Sequence, residues 1–376
     1  MTVSQFHFLN RVVFGPGAAE TLGEELTAAG IRRPLLVSDE GLVAAGLVAR
    51  LRGLMPAPAA EFLAVPANPT EAAVAQARAL CLEAGCDGIV ALGGGSPIDF
   101  AKAVALSATH PGPLGDYAAI RGGAARIGPC LPVIVLPTTA GTGSEVGRGA
   151  LITLETGEKL VIASPHLLPV VALCDPGLTL GLPPGLTAAT GVDALSHCIE
   201  AWLSPRWNPP VDAIVLDGLR RGWAALPRAV AAPDDIDARA GMMMVSIEGG
   251  LGFQKGLGAV HALSHPLGAL PGLSLHHGSC NAAVMPAVLR FNRPAAQARL
   301  EALEEALALP AGTTLADALE GLNARLGLPC SLREMGVRAE MIPGLTVGAL
   351  ADHSRPTNPR PLGEAEITAL YTELVA

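Results

Sequence analysis

The chain of 376 residues is long enough to bury a large core, and its length favours two domains. Half of the residues are hydrophobic and 16% are charged, a composition typical of a compact globular protein and unlike that of a disordered one. The net charge of −9 and the absence of a basic stripe argue against nucleic-acid binding.

Neither the N-terminus nor any apolar run has the pattern of a targeting or membrane segment. The first ten residues lack a charged stretch followed by an apolar one. The apolar run 240–253 is too short to span a bilayer and contains Glu248. Seven scattered cysteines without a CxxC pair suit reduced thiols better than a disulfide framework, so a cytoplasmic protein is expected.

The first half of the chain alternates strand and helix patterns. Strands are predicted within 33–41, 86–96 and 130–145, and helices within 71–85 and 97–109. Unbroken apolar strands that alternate with helices indicate a parallel sheet covered on both faces. We therefore expect an α/β domain over residues 1–184.

The second half changes character, because strand signals nearly vanish after residue 185. Long helical patterns run over 187–203, 211–226 and 296–309. An all-helical domain is expected over residues 185–376, joined to the first by the segment 175–186.

Two glycine-rich loops follow predicted strands. In GGGSPID (93–99), Ser96 is the expected N-cap of the next helix, with Pro97 at its first position. Backbone N–H groups at such a helix start favour a diphosphate, although a tight turn with ordinary capping gives the same pattern. The second loop, PTTAGTGSE (137–145), places hydroxyl groups at another strand end, where ligands of α/β sheets bind.

Asp39 follows the predicted strand PLLV. A carboxylate at this place accepts hydrogen bonds from a ribose 2′-hydroxyl and repels a 2′-phosphate, which favours NAD over NADP. The alternative is a turn aspartate, since Ser-Asp-Glu-Gly is prone to form turns.

Metal-ligand spacing appears twice in apolar helical patterns. Asp193 and His197 are four residues apart, and so are His261 and His265; His276 and His277 follow in a loop. Residues at i and i+4 share one helix face, and a carboxylate with two or three imidazoles suits Fe²⁺ or Zn²⁺. A single such pair is more often a packing feature.

Several of these segments resemble the iron-containing (group III) alcohol dehydrogenases. The motifs that carry the resemblance span about residues 8 to 291: GGGSPID with Lys102, PTTAGTGSEV, LPPGLTAATGVDALSHCIEA, and GLGAVHALSHPLGA through HHGSCNA. The resemblance implies a Rossmann-like α/β dinucleotide-binding domain and an all-α metal-binding domain, an architecture shared with dehydroquinate synthases, with the active site between them.

The resemblance also implies roles for individual residues. The implied metal ligands are Asp193, His197, His261 and His277, where His277 is chosen because it directly precedes the glycine of the HG motif. His265 matches a histidine near the metal and becomes the candidate proton relay, while His276 has no assigned role. The positions that match the nucleotide cleft are Asp39, Asn68, Gly94, Gly95, Ser96, Thr138, Thr139, Thr142, Lys159 and Leu178.

Three departures from the family pattern concern the substrate. The loop between His265 and His277 is longer than in many members, which marks it for substrate specificity. Lys255 and Arg148 stand where many members have other residues, so either one is a candidate contact for an anionic substrate. A solvated or helix-packing lysine is the plainer interpretation.

The expected function is transfer of a hydride between NAD(H) and a small alcohol or aldehyde, including a hydroxyacid or semialdehyde, with metal Lewis acidity at the substrate oxygen. A lyase of the dehydroquinate synthase type is one alternative. A maleylacetate reductase is another, although these relatives lack the full ligand set, and a silent binding protein is the third. The resemblance implies a homodimer or larger oligomer, and the run 5–15 is a candidate for pairing across it.

Overall fold

The computed structural model describes residues 10–270 and 272–376. This part of the chain divides into two compact units. The α/β unit comprises residues 10–139 and 143–181, and the helical unit comprises residues 140–142 and 182–376. None of the described helices is both long and apolar enough to cross a membrane. No disulfide joins any of the seven cysteines, all of which are described.

The α/β unit contains a parallel sheet of six strands. We number strands and helices in chain order. The sheet strands are β1 (Arg11–Phe14), β2 (Pro34–Val37), β3 (Ala60–Phe62), β4 (Gly88–Gly93), β5 (Val133–Pro137) and β8 (Val171–Cys174), in the order β1-β8-β5-β4-β2-β3. The central strands are buried along their whole length, which explains their unbroken apolar sequences. The predicted Rossmann-like fold class is confirmed.

Five α-helices and a β-hairpin complete the described part of this unit. The hairpin, β6 (Gly149–Thr153) and β7 (Lys159–Ala163), is antiparallel and was not predicted. The helices are α1 (Leu22–Ala28), α2 (Glu40–Ala44), α3 (Leu47–Arg52), α4 (Glu71–Glu83) and α5 (Gly95–Thr109). On one sheet face, Leu36, Val90 and Leu136 pack with Leu22 and Leu51 in a core cluster.

The run 5–15 lies partly outside the described residues. Its described part forms β1, which occupies one edge of the sheet and pairs in parallel with β8 of the same chain. Pairing across a dimer remains a prediction for the segment that precedes it.

The helical unit contains no strand among its described residues. Its helices are α6 (Pro184–Leu203), α7 (Pro209–Ala231), α8 (Ile236–Gly252), α9 (Ala259–Leu267), α10 (His277–Ala306), α11 (Leu315–Leu326), α12 (Ile342–Ala351) and α13 (Glu364–Val375). The helix α6 packs against α7, α8 and α10, and most of its residues are buried. It is therefore the central helix of this unit.

A buried lysine fixes the loop after β5. The ammonium of Lys102 on α5 is fully buried and lies 2.7–2.9 Å from four oxygens, which belong to Ser144, Gly147 and Gly149. The carboxylate of Asp99, 3.9 Å away, accepts hydrogen bonds from Ser144 and the backbone of Leu151. Burial lowers the pKa of Lys102 to about 8, so the ammonium form still dominates at neutral pH.

Replacing Lys102 with methionine is expected to lower the free energy of unfolding by about 3–5 kcal/mol, because it leaves several buried carbonyls without their donor and the Asp99 carboxylate without its counter-ion. Urea unfolding followed by circular dichroism measures this. The control is Lys159→Met, whose ammonium donates an exposed hydrogen bond to Asn68. A loss as large as that of Lys102→Met would contradict the explanation.

Candidate functional site

Two of the predicted metal ligands lie one helical turn apart on α6. The side chains of Asp193 and His197 are both buried, and His197 Nε2 lies 3.6 Å from Asp193 Oδ1. Close packing with α8 holds this turn in place. A Cβ on Gly249 of α8 would lie 2.9 Å from the Cβ of His197, so only glycine permits the approach.

Helices α9 and α10 bring two more imidazoles to the same carboxylate. His261 Nε2 lies 3.7 Å and His277 Nε2 3.5 Å from Asp193 Oδ1. We name Asp193, His197, His261 and His277 the carboxylate–imidazole cluster. One donor atom from each of the first three lies within 4.8 Å of the others, and His277 joins them through Asp193.

The glycine after His277 has a steric reason. A Cβ on Gly278 would lie 2.0 Å from the carbonyl oxygen of Ala189 on α6. Glycine therefore lets the first turn of α10 press against the α6 backbone, which carries His277 towards Asp193. The HG pair is explained by this contact.

The distances in the cluster suit a divalent metal. Bonds of 2.0–2.2 Å in a tetrahedral site separate neighbouring donor atoms by about 3.3–3.6 Å. The three imidazole nitrogens lie 3.5–3.7 Å from Asp193 Oδ1, close to that separation. One carboxylate with three imidazoles is also a donor set that Fe²⁺ or Zn²⁺ accepts.

Glu200 fixes the orientation of His261. Its buried carboxylate lies 2.6 Å from His261 Nδ1 and accepts a second hydrogen bond, of 2.7 Å, from the backbone of Val260. When His261 Nδ1 donates to Glu200, its Nε2 lone pair is left facing Asp193. Asn358 accepts from the backbone of Ala259, so the start of α9 is held by two side chains.

Asn281 contacts the cluster and was not among the predicted site residues. Its amide nitrogen donates to Asp193 Oδ1 at 2.7 Å and lies 3.2–3.3 Å from the Nε2 atoms of His277 and His261. Its amide oxygen is buried and has no hydrogen-bond partner among the described residues, an arrangement that suits a site completed by a further group. Asn281 lies four residues after His277 on α10, and this spacing, which puts both side chains on one helix face, could have predicted its place in the site.

Charges within the cluster favour a cation. Burial by itself would raise the pKa of Asp193, but the surrounding imidazoles outweigh burial and hold that pKa well below its usual range. For His261, burial opposes the neighbouring carboxylates of Asp193 and Glu200, and the pKa rises to about 9. The ionised carboxylates thus attract positive charge to this place.

His265 lies beside the cluster. Its ring is stacked on that of His277, with centroids 5.3 Å apart, and its Nδ1 lies 2.8 Å from a carboxylate oxygen of Asp352. His276 is exposed, and its side chain makes no capping hydrogen bond to α10. The loop after α9 is described except for residue 271, and it contains no helix or strand.

The two candidate anion contacts lie in different surroundings. The side chain of Lys255 is 1% exposed, and its ammonium is paired with Asp212, which also accepts from Arg299. Because this ammonium is buried and already paired, the structure favours the helix-packing interpretation of Lys255, and its contact with a substrate anion stays an untested prediction. Arg148 is an exposed residue of the α/β unit.

Six of the predicted nucleotide residues directly follow three neighbouring strands: Asp39, Gly94, Gly95, Ser96, Thr138 and Thr139. The sheet register aligns Val37 with Ala91 and Gly93 with Pro137, so the loops after β2, β4 and β5 are adjacent. The chain leaves β2 towards β3 but leaves β4 towards β5, which makes this the topological switch point where α/β sheets bind ligands.

The glycine loop after β4 differs from the prediction in its capping. The helix α5 begins at Gly95 with Gly94 as N-cap, whereas Ser96 donates to the carbonyl of Ala67 at 2.6 Å. The predicted N-cap at Ser96 is therefore wrong by two positions, since the glycines allow the chain to turn earlier. A Cβ on Gly94 would lie 2.9 Å from Thr139 Oγ1, so this bend accepts only glycine without a shift.

The other predicted nucleotide positions fall into three settings. Asp39 is half-buried, and its carboxylate also caps α2 by accepting from the backbone of Leu42. Asn68 and Lys159 are hydrogen-bonded to each other at 2.9 Å. Leu178 packs in the core below the sheet end, and Thr142 belongs to the helical unit.

Comparisons with known proteins cover nearly the whole chain. A family model described as iron-containing alcohol dehydrogenase matches residues 10–176, and one described as the C-terminal part of the Fe-containing alcohol dehydrogenase family matches residues 187–375. The chain is 52% identical to a 4-hydroxybutyrate dehydrogenase of Cupriavidus necator, over 96% of this chain and 97% of the relative.

Two solved structures have the same fold. A 1,3-propanediol oxidoreductase superposes with a TM-score of 0.92 at 35% identity, covering 99% of this chain and 100% of the other. A sulfoacetaldehyde reductase of Bifidobacterium kashiwanohense, solved with NAD⁺, superposes with a TM-score of 0.89 at 28% identity and covers each chain completely.

Proposed function

The chain belongs to the iron-containing alcohol dehydrogenase family, and we propose that it oxidises the terminal hydroxyl of a short hydroxyacid such as 4-hydroxybutyrate, or reduces the matching semialdehyde, with NAD(H). The chain is an NAD-dependent alcohol dehydrogenase. The main support for this substrate is the 52% identity to a 4-hydroxybutyrate dehydrogenase over almost the whole chain.

The carboxylate–imidazole cluster would hold the metal, which we propose to be Fe²⁺, with Zn²⁺ as the alternative. A divalent metal bound there supplies Lewis acidity to the oxygen of the alcohol or aldehyde. The charge of Asp193 and the Nε2 atoms of the three histidines are the groups available to hold it. Glu200 keeps His261 in the tautomer that binding requires.

His265 is proposed to carry the substrate proton. Its ring contacts those of His261 and His277, which places a proton acceptor next to the cluster. Asp352 holds Nδ1 of His265, so Nε2 is the ring atom available to exchange a proton.

The strand ends of the α/β unit are proposed to bind NAD. The start of α5 offers backbone N–H groups to the diphosphate, and Asp39 stands at the neighbouring strand end for the ribose 2′-hydroxyl. The same carboxylate repels the 2′-phosphate of NADP, so NAD is the preferred coenzyme.

Replacing Asp39 with asparagine is expected to raise the ratio of kcat/KM with NADP⁺ to kcat/KM with NAD⁺ by about ten-fold, since about one unit of charge repulsion is removed. Asparagine keeps the acceptor that caps α2 and removes only the charge. The control is Glu40→Gln, the next carboxylate along the chain. An unchanged ratio, or an equal rise in the control, would contradict the role of Asp39.

The preference for an anionic substrate has support from two relatives. The 4-hydroxybutyrate dehydrogenase and the sulfoacetaldehyde reductase both act on molecules that carry a negative charge, whereas the 1,3-propanediol oxidoreductase acts on a neutral diol. A neutral diol is therefore the second candidate substrate. Arg148 remains the proposed cationic contact, because Lys255 is already paired.

Steady-state NADH formation from 4-hydroxybutyrate, 1,3-propanediol and butanol tests the substrate proposal. We expect kcat/KM to be at least about ten-fold higher for 4-hydroxybutyrate than for the two neutral alcohols, since an added charge contact contributes about 1.5 kcal/mol or more. Equal values for all three would contradict it. A lyase of the dehydroquinate synthase type would give no net NADH, and a maleylacetate reductase would oxidise none of the three.

A further inference from the structure

A second group of metal-binding side chains lies beside the first in the helical unit. His265 Nδ1 lies 2.8 Å from Asp352 Oδ2, and His353 Nδ1 lies 3.8 Å from Asp352 Oδ1. One donor atom from each of these three residues falls within 4.8 Å of the other two. The group combines two imidazoles with one carboxylate, a donor set that divalent transition metals bind.

The three side chains are held in position before any ligand arrives. Asp352 ends α12, and its Oδ1 accepts a hydrogen bond of 2.8 Å from the backbone of Ser354. The rings of His265 and His353 are nearly parallel, at 17° with centroids 5.5 Å apart. Binding at a preorganised group loses little side-chain entropy.

The group is also open to solvent on one side. The side chain of His353 is 48% exposed, whereas those of His265 and Asp352 are 15% and 9% exposed. An ion can therefore enter past His353, and water can complete its coordination.

We propose that His265, Asp352 and His353 form a second divalent-metal site, of the Zn²⁺ type, separate from the carboxylate–imidazole cluster. The hydrogen bond between His265 and Asp352 gives way when the ion enters, because the ring changes tautomer: solvent takes the proton from Nδ1 and returns one to Nε2, and the Nδ1 lone pair binds the ion. The spacing of 3.8 Å between His353 Nδ1 and Asp352 Oδ1 is already close to that of donor atoms around one ion.

An ion at this site has a consequence for catalysis, which rests on the proposed function. It occupies the imidazole that we propose to carry the substrate proton, and that ring is stacked on His277 of the first cluster. Excess Zn²⁺ is therefore expected to inhibit the enzyme without removing the metal of the first cluster.

Equilibrium dialysis against Zn²⁺, with bound metal measured by atomic absorption, tests the site independently of activity. We expect two ions per chain in the wild type, one in His353→Ala, and two in His166→Ala, a control that removes an exposed histidine of the α/β unit. The first ion retained by His353→Ala shows that the variant is folded. A single ion in the wild type, or two in His353→Ala, would overturn the proposal.

Inhibition by Zn²⁺ tests the expected effect of the second site on turnover. The zinc concentration that halves turnover is expected to rise about ten-fold or more in His353→Ala, each protein being compared with its own rate without added zinc, because one of three ligands is lost. Equal inhibition of wild type and variant would overturn the link to His265. Because dialysis measures bound metal and not turnover, it tests whether the second site exists even if the protein oxidises no alcohol.

Discussion

Alanine in place of His277 is expected to lower kcat/KM for the alcohol by about 1000-fold or more. The reason is that a metal contributes several kcal/mol to stabilising charge on the substrate oxygen, and each 1.4 kcal/mol is a factor of ten. The side chain of His277 reaches Asp193 Oδ1 at 3.5 Å, so its loss removes one of four donors. Metal per chain, measured on the same samples, is expected to fall in parallel.

The neighbouring histidine is a matched control. His276 is exposed and precedes α10 without capping it, so His276→Ala is expected to change kcat/KM by no more than about two-fold. If the two variants lost activity equally, the choice between the tandem histidines would be wrong.

Leucine in place of Glu200 is expected to weaken metal binding by about 10–100-fold, the usual effect of removing the partner that orients a ligating histidine. Leucine removes the acceptor for both His261 and the backbone of Val260. Glutamine keeps a carbonyl acceptor, and Glu200→Gln is therefore expected to retain most of the affinity.

Competition with a metal-binding dye measures this affinity. Equal affinity of Glu200→Leu and wild type would show that the orientation of His261 does not depend on Glu200. A loss as great in Glu200→Gln as in Glu200→Leu would show that the charge of Glu200, and not its hydrogen bonds, is responsible.

Periodicity and strand-end chemistry predicted most of the architecture. The parallel sheet followed from buried strands whose sequences are apolar throughout, and the long helices followed from their apolar spacing. The hairpin β6–β7 was missed because its strands are only partly buried and so lack the unbroken apolar sequence of the sheet strands. The N-cap of α5 was misplaced because three consecutive glycines offer the chain several places to turn.

The sequence predicted the members of the carboxylate–imidazole cluster. It did not predict the carboxylates that orient their histidines and His265. Spacing within one helix paired Asp193 with His197, and the motif resemblance added His261 and His277. Glu200 and Asp352 lie 61 and 87 residues from the histidines they orient, so no local pattern connects them. The carboxylate that pairs with Lys255 belongs to Asp212, which is likewise distant in the sequence, at 43 residues.

The role of a metal at the carboxylate–imidazole cluster is tested most directly by NADH formation from 4-hydroxybutyrate. The rate is measured with the metal-free protein before and after one equivalent of Fe²⁺ is added under anaerobic conditions. Negligible activity is expected without metal, and recovery is expected on addition of Fe²⁺, with one NADH formed for each hydroxyacid consumed. Undiminished activity in protein shown to contain no metal would contradict the role of the carboxylate–imidazole cluster.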